Sequence, residues 1–319
     1  LSTDITLTAE YENDAYYGRT GTPPISTAVV LDGQGHVLAR DGSLTCKFNL
    51  TNDAGEFRLL RVMSSGDLTL NNAVIRSGCV DISDSGGGIE GGGLLNRGTL
   101  SVQNSVIDAN QAASGGGIAS FGGGSEITRV DNTTFSNNSV RNAGAGLYVS
   151  GGDVGTINNS SFWGNSASSG GGLDLQSSSL SAINNSTFSN NNANNQGGGI
   201  YLRVFSTLSA INNSTFSGNT ASNGSAIYNE DSDIGNLQNS LFHDGSSCGS
   251  FQVPGSTYNG SNNIADGTSG SGCPGILPTT LTAATVGPLA DNGCTTPLAD
   301  GSCVMTHALL PGSEALDVS

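Results

Sequence analysis

The 319-residue chain carries 48 glycines, only 11% charged residues and a net charge of −16. Glycine without a strict three-residue period excludes collagen, and a 35% hydrophobic content recurring at fixed intervals excludes a charged disordered chain. So acidic a surface repels phosphate backbones and anionic lipid heads, which argues against nucleic acid as a partner. No apolar run reaches the roughly 18 residues of a membrane span.

In chain order, Ile5-Thr6-Leu7, Val29-Val30-Leu31 and Phe57-Arg58-Leu59-Leu60 read as short strands, so residues 1–67 are predicted as irregular early coils. No basic-then-apolar leader precedes them, which implies that Leu1 is not the encoded start. From about 68 to 244 one motif returns: Val130-Asp131-Asn132-Thr133-Thr134-Phe135, Ile157-Asn158-Asn159-Ser160-Ser161-Phe162, Ile183-Asn184-Asn185-Ser186-Thr187-Phe188 and Ile211-Asn212-Asn213-Ser214-Thr215-Phe216. Looser copies begin at Leu70, Val102 and Leu237, and the spacing centres on about 27 residues. Between copies lie Gly115-Gly116-Gly117-Ile118, Gly170-Gly171-Gly172-Leu173 and Gly197-Gly198-Gly199-Ile200, with variants at Gly144 and Gly224. No window holds a helical period, and the Leu-x-x-Leu-x-Leu frame of leucine-rich repeats is missing. Short strands stacked in parallel, one coil per repeat, are what remains: an all-β, right-handed parallel β-helix over residues 1–266.

Parity places a corner inside each copy. Ile157 and Phe162 lie five apart, on opposite faces of a continuous strand, so both point inward only if the chain bends at Asn159-Ser160. Asn tolerates the left-handed backbone such a bend requires. The corner residues Asn104, Asn132, Asn159, Asn185, Asn213 and Asn239 are therefore expected to stack as a buried amide ladder. Asn110, Asn138, Asn165, Asn191 and Asn219, three past the aromatic position, are expected to form another. Ile107, Phe135, Phe162, Phe188, Phe216 and Phe242 make one apolar column, Val102 to Leu237 a second and Ile118 to Ile227 a third.

After Asp244 the repeat fades, with Asn262-Asn263-Ile264 as a last coil and residues 267–319 as a Gly/Pro/Cys-rich capping tail. Six cysteines in no zinc-binding spacing indicate disulfides and an oxidising compartment. Cys46–Cys79 and Cys248–Cys273 lie about one coil apart and would bridge adjacent rungs, while Cys294–Cys303 would close a loop in the tail.

The Asn-Ser-Thr-Phe-Ser copies resemble the polymorphic outer-membrane repeat of bacterial secreted β-helix proteins. The segments Gly287-Pro288-Leu289-Ala290-Asp291-Asn292-Gly293 and Thr306-His307-Ala308-Leu309-Leu310-Pro311-Gly312-Ser313 resemble the C-terminal signature of the choice-of-anchor Q type. Cys294 to Cys303 interrupts that signature, and Glu314 stands where it has Pro. The resemblance implies a cell-surface location more than any activity.

Parallel β-helices also carry polysaccharide lyases and hydrolases. The Asn-Thr-Asp, Asp-Asp, Gly-His-Gly and Arg-Ile-Lys motifs of the pectin-hydrolysing members are all missing. Candidate carboxylates for a hydrolase are Asp153 with Asp174, or Glu230, Asp231 and Asp233, and each set reads more simply as turn hydrogen-bonders. Arg203 with Tyr201 is the only basic candidate for a lyase and reads as a solvated arginine. Glu230, Asp231 and Asp233, or Asp81 and Asp84, offer oxygens to calcium without a complete ligand set. No cofactor is expected. Tyr148, Tyr201, Tyr228 and Trp163 are the outward aromatics that a carbohydrate-binding face would use. Of the Asn-x-Ser/Thr acceptors, only Asn49 and Asn259 lie outside the repeat, so they alone are candidates for glycan. These residues point to an extracellular structural or adhesive surface protein without catalysis, its partners a surface polysaccharide or host glycan, or copies of itself end to end in a fibre. The alternative is a polysaccharide-active enzyme or a carbohydrate-binding module.

Overall fold

The computed structural model describes residues 1–47, 55–81, 89–251, 257–267, 269–277, 286–290, 292 and 297–309. Asn49, Asp84 and Cys294 fall outside them. The described chain is an all-β parallel solenoid. One coil illustrates the rest: Leu147–Ser150 lies in an eight-stranded sheet (sheet 1), Asp153–Asn158 in a nine-stranded sheet (sheet 2) and Ser161–Trp163 in a ten-stranded sheet (sheet 3). The two-residue strand Ser166–Ala167 then joins a short fourth sheet before the chain climbs to Leu173.

Register is strict because each column is apolar on one side only, and a one-residue slip would expose it. Phe135, Phe162, Phe188, Phe216 and Phe242 stack nearly face to face, with centroids 4.6 to 5.2 Å apart. Val130, Ile157, Ile183 and Ile211 pair rung to rung in sheet 2, and Leu147, Leu173, Ile200 and Ile227 do so in sheet 1; all are fully buried. A fourth column, Ile127, Val154, Leu180, Leu208 and Ile234, shares the core. Val154 and Ile157 lie three apart yet both face inward, because the six-residue strands of sheet 2 are irregular in mid-strand. Each such side chain contributes roughly 1.5–3 kcal/mol, and the rung-to-rung backbone bonds turn that into a fold only when coils stack.

The triple-glycine motif solves two problems. Gly170 has a left-handed backbone (φ 61°). A Cβ on Gly172 would lie 2.6 Å from the Gly199 carbonyl oxygen, so the rungs stack there only without side chains.

The corner is where the sequence places it, but its interior is different. Asn104, Asn132, Asn159, Asn185, Asn213 and Asn239 all have left-handed φ of 46 to 51°. Their amides point outward, however: Asn159, Asn185, Asn213 and Asn239 are exposed, and only Asn132 to Asn104 (2.9 Å) continues a ladder along this row. The buried corner residue is the following serine or threonine. Ser160, Ser186, Ser214 and Ser240 each donate to the carbonyl two residues back and accept the backbone N–H of the rung before. The buried amide ladder is the other one. Asn110, Asn138, Asn165 and Asn191 donate through Nδ2 to Oδ1 of the next rung at 2.9 to 3.1 Å, ending at Asn219.

Cys46–Cys79 and Cys248–Cys273 are disulfides. Cys303 is also disulfide-bonded, and Cys294, its expected partner, lies outside the described residues. At the C-terminal end, Asn263 takes the corner-serine position, and Gly275 and Ile276 pair against it, covering that rung. The tail returns along the outer face of sheet 3. Val286–Ala290 and Thr306–Leu309, the two halves of the C-terminal signature, pair antiparallel. His307 Nδ1 donates to the Gly287 carbonyl (2.8 Å), so Nε2 accepts from Ser189 Oγ (3.0 Å) and fastens the tail to the solenoid. Leu298 and Ala299 pack on Val74 and Val106 of the same face. At the N-terminal end, the hairpin of Glu12–Asp14 and Gly18–Thr20 brings Tyr17 against Leu95, Ala119 and Tyr148 on the outer face of sheet 1. Arg61 and Arg97 each lie 5.0 Å from its ring centre.

Candidate functional site

The outer face of sheet 1 holds the charged cluster that stacking alone does not explain. Ile200 and Leu202 point into the core, so Tyr201 and Arg203 of the same strand point out. Rung pairing sets Tyr148, Asp174, Tyr201 and Tyr228 in one outward column, where neighbouring rungs carry Leu95, Ala119 and Gly249. Asp174 is fully buried between the two tyrosines. Its Oδ1 accepts from Arg203 Nε at 3.2 Å, and its Oδ2 has no partner. Burial pushes the Asp174 carboxyl up to about 7 against the pull of Arg203, and the nearby Glu230 adds to the rise. Burial works against the Arg203 charge, yet Asp174 holds the guanidinium above its ordinary value.

Tyrosine hydroxyls complete the cluster. Tyr148 donates to Gln176 Oε1 (2.7 Å), and Tyr201 donates to Glu230 Oε2. Burial, then the Glu230 contact, raises the Tyr201 phenol. Arg203 also lies 5.6 Å from the Tyr201 ring centre. Arg203, expected as a solvated surface residue, is thus tied to a buried carboxylate, and its side chain is only 26% exposed.

Directly after Arg203 the chain breaks its own rule. The nearby rungs leave sheet 1 through one left-handed residue, Gly151, Ser177 or Asp231; here both Val204 (φ 57°) and Phe205 (φ 58°) are left-handed. Gln176 pairs with Arg203 and Ser179 with Thr207, so this turn is one residue longer than the one below it. For a β-branched residue that backbone is an outlier. The turn leaves Phe205 73% exposed.

The remaining candidates separate. Asp153 lies in sheet 2 and bonds Ser179, whereas Asp174 lies in sheet 1, so the two are not a carboxylate pair. Asp233 accepts from Thr257, and Glu230 is taken by Tyr201, so Glu230, Asp231 and Asp233 do not converge. Among the described residues, the only side chains brought within reach of one ion are Cys46, Glu56 and Cys79, and the two cysteines are the disulfide. Of the outward aromatics, Tyr148 and Tyr201 are each 7% exposed, and Trp163 lies under the tail beside Met305 and Leu298. Sequence reasoning missed Phe205, although the apolar pair Val204-Phe205 at a turn that in nearby rungs holds glycine, serine or aspartate was its signal.

Residues 124–276 match the family model of the right-handed β-helix region. The protein is a right-handed parallel β-helix, and the match covers the rungs that carry both the phenylalanine stack and the Asp174–Arg203 cluster. Neither a curated protein nor a solved structure matches the chain. No helix among the described residues is long and apolar enough to cross a membrane.

Proposed function

We propose that this is an extracellular, adhesive surface protein that holds polysaccharide on the outer face of sheet 1. The observation that carries the reading is Phe205, an aromatic ring held in solvent by two consecutive left-handed residues beside the Arg203–Asp174 pair. Each such residue costs of order 1–3 kcal/mol, and folding gains nothing evident from an exposed ring. A flat ring for sugar faces, with Arg203, Gln176 and Glu230 as hydrogen-bonding groups, is the composition of a carbohydrate-contacting surface. The disulfides and the resemblance to bacterial surface repeats support the location. The test is retention on immobilised polysaccharides: Phe205→Gly should weaken retention at least tenfold while the protein stays folded. Undiminished retention in both Phe205→Gly and Arg203→Ala would sink the reading.

A polysaccharide-cleaving enzyme is the second reading, favoured by an Asp174 carboxyl poised near neutrality. Asp174 has no exposed surface, so it cannot reach a glycosidic oxygen in this conformation, and binding is the better account. Release of reducing ends or of unsaturated sugars by wild type, lost in Asp174→Asn, would reverse that preference. Association between copies of the chain draws support from the N-terminal rung, where Ala28–Asp32 is the edge of sheet 2 with Val30 73% exposed. The other edge of sheet 2, Tyr258–Ser261, lies against the Pro274–Gly275 turn, so the open N-terminal edge is the end better placed to meet a second copy.

A further inference from the structure

We infer that the corner between sheets 2 and 3 is a second ligand site, an amide-lined groove that takes an extended, neutral oligosaccharide along the solenoid axis. The groove has a volume of about 710 Å³ and presents two rows of amides. The inner row is Asn158, Asn184 and Asn212, and the outer row is Asn159, Asn185 and Asn213.

The outer row has no structural use for its amides. All three are exposed, and none makes a side-chain hydrogen bond within the protein. Their left-handed φ of 48 to 51° accounts for a residue that tolerates such a backbone, but glycine does so at least as well. The chain itself shows this one turn later. After sheet 3, the equivalent left-handed position in successive rungs reads Ala109, Asn137, Gly164, Asn190, Gly218, Asp244. Free exchange is tolerated there, while the corner keeps Asn in every rung from Asn72 to Asn239. The difference lies in what the side chain faces.

The inner row is polarised. Asn212 donates to Asn184 (2.7 Å), Asn184 to Asn158 (2.8 Å) and Asn158 to the Asp131 carboxylate (2.7 Å). Bonds in such a chain strengthen one another and leave one unmet acceptor at the far end. Asn212 Oδ1 is that atom, buried and without a donor, while on the next rung Gln238 Oε1 accepts from Asn236. Being buried, that atom is not itself a ligand contact; the contacts are the exposed amides of the outer row. The rest of the groove offers uncharged donors and acceptors in pairs, one pair per rung at about 4.8 Å, close to the length of one sugar ring in an extended chain. Asp131 at one end and the net charge of −16 disfavour an acidic polymer.

This site is independent of the one proposed on sheet 1. The experiment is calorimetric titration with neutral hexasaccharides of β-1,4-linked glucose, mannose and N-acetylglucosamine, using wild type, Asn185→Gly/Asn213→Gly and Phe205→Gly. Glycine keeps the left-handed corner and removes only the amides, so the double variant should melt with wild type. It should bind at least tenfold more weakly than wild type, while Phe205→Gly should retain binding to the groove. Absence of binding by all three hexasaccharides, or equal affinity in the double glycine variant, would overturn the inference.

Discussion

Asn191→Ala is the substitution that most directly tests what holds the rungs together. Asn191 is fully buried; its Nδ2 donates to the Phe162 carbonyl (2.9 Å) and to Asn219 Oδ1 (3.0 Å). Its Oδ1 accepts from Asn165 Nδ2 (2.9 Å) and from the Asn165 backbone N–H (3.2 Å). Alanine removes all four bonds, but not every partner is left bare. Asn165 Nδ2 keeps the Phe135 carbonyl, and Asn219 Oδ1 keeps the Asn191 backbone N–H. The Asn165 N–H and one lone pair of the Phe162 carbonyl remain, at about 1–3 kcal/mol per stranded group, so the loss should be about 2–6 kcal/mol. That is a large fraction of a stability of about 5–15 kcal/mol and should lower Tm by roughly 3–9 °C for a chain of this length. Asn185→Gly changes an exposed amide with no internal partner and should shift stability by less than about 0.5 kcal/mol. Calorimetry gives both shifts, and hydrogen exchange at the amides of residues 165 and 191 locates the first. Equal melting shifts for the two variants would refute the division into a buried ladder and an outward corner row.

Replacing Cys273 by Ser opens the bridge to Cys248, 25 residues away, and should cost about 3 kcal/mol, read as a lower urea midpoint. A midpoint equal to wild type would show that the bridge does not constrain the last rungs. Burial, helped by His243, lowers the His307 pKa against the hydrogen bond to Gly287 and the charge of Asp244, so the docked tail favours the neutral ring. Docking should hold above the ordinary histidine value and weaken as pH falls below it, seen as faster exchange at residues 286–290 and 306–309; exchange protection that rises on acidification would contradict this. Asp174 has the opposite sign: raised from 3.8 to about 7, it favours folding at low pH and loses that contribution as pH rises through that window. Asp174→Asn should flatten this slope, and an unchanged pH profile would discount its burial. Val30→Lys places a charge on the open edge strand and should abolish any concentration-dependent association in sedimentation, whereas association that persists would place the contact elsewhere.

The solenoid was legible because its signals are periodic. Phe162 recurs at 188 and 216 with the same neighbours, so register and columns follow from alignment alone. The corner was half legible. Parity places the bend at Asn159-Ser160, but it does not say which of the two side chains turns inward. In the left-handed corner it is Ser160 that is buried, bonding two ways, while Asn159 faces water. The fourth apolar column hid behind mid-strand irregularity, since Val154 and Ile157 break the two-residue alternation. The Asp174 cluster hid for another reason: its members lie 27 to 29 residues apart and meet only across rungs. Each, taken singly in sequence, reads as a solvated polar residue.

The departures from the repeat have a location, and that location carries the functional argument. A stack of near-identical coils has every local preference agreeing with its neighbours, so a rung that breaks the pattern stands out energetically as well as in sequence. Between Tyr148 and Glu230 the chain buries a carboxylate with an unpartnered oxygen, binds an arginine to it and lengthens one turn to hold Phe205 in solvent. Each feature lowers stability by itself: a buried charge needs compensation, and left-handed Val204 is strained. Random drift would scatter such costs over the rungs. Here they fall on neighbouring rungs: Asp174, Arg203, Tyr201 and Glu230 are joined by hydrogen bonds and a ring contact, and the strained turn follows Arg203 directly in the chain. Reverting Val204-Phe205 to a single serine, as at Ser177, should therefore stabilise the solenoid while removing retention on polysaccharide. Stabilisation without loss of binding would separate the strained turn from the function proposed for it.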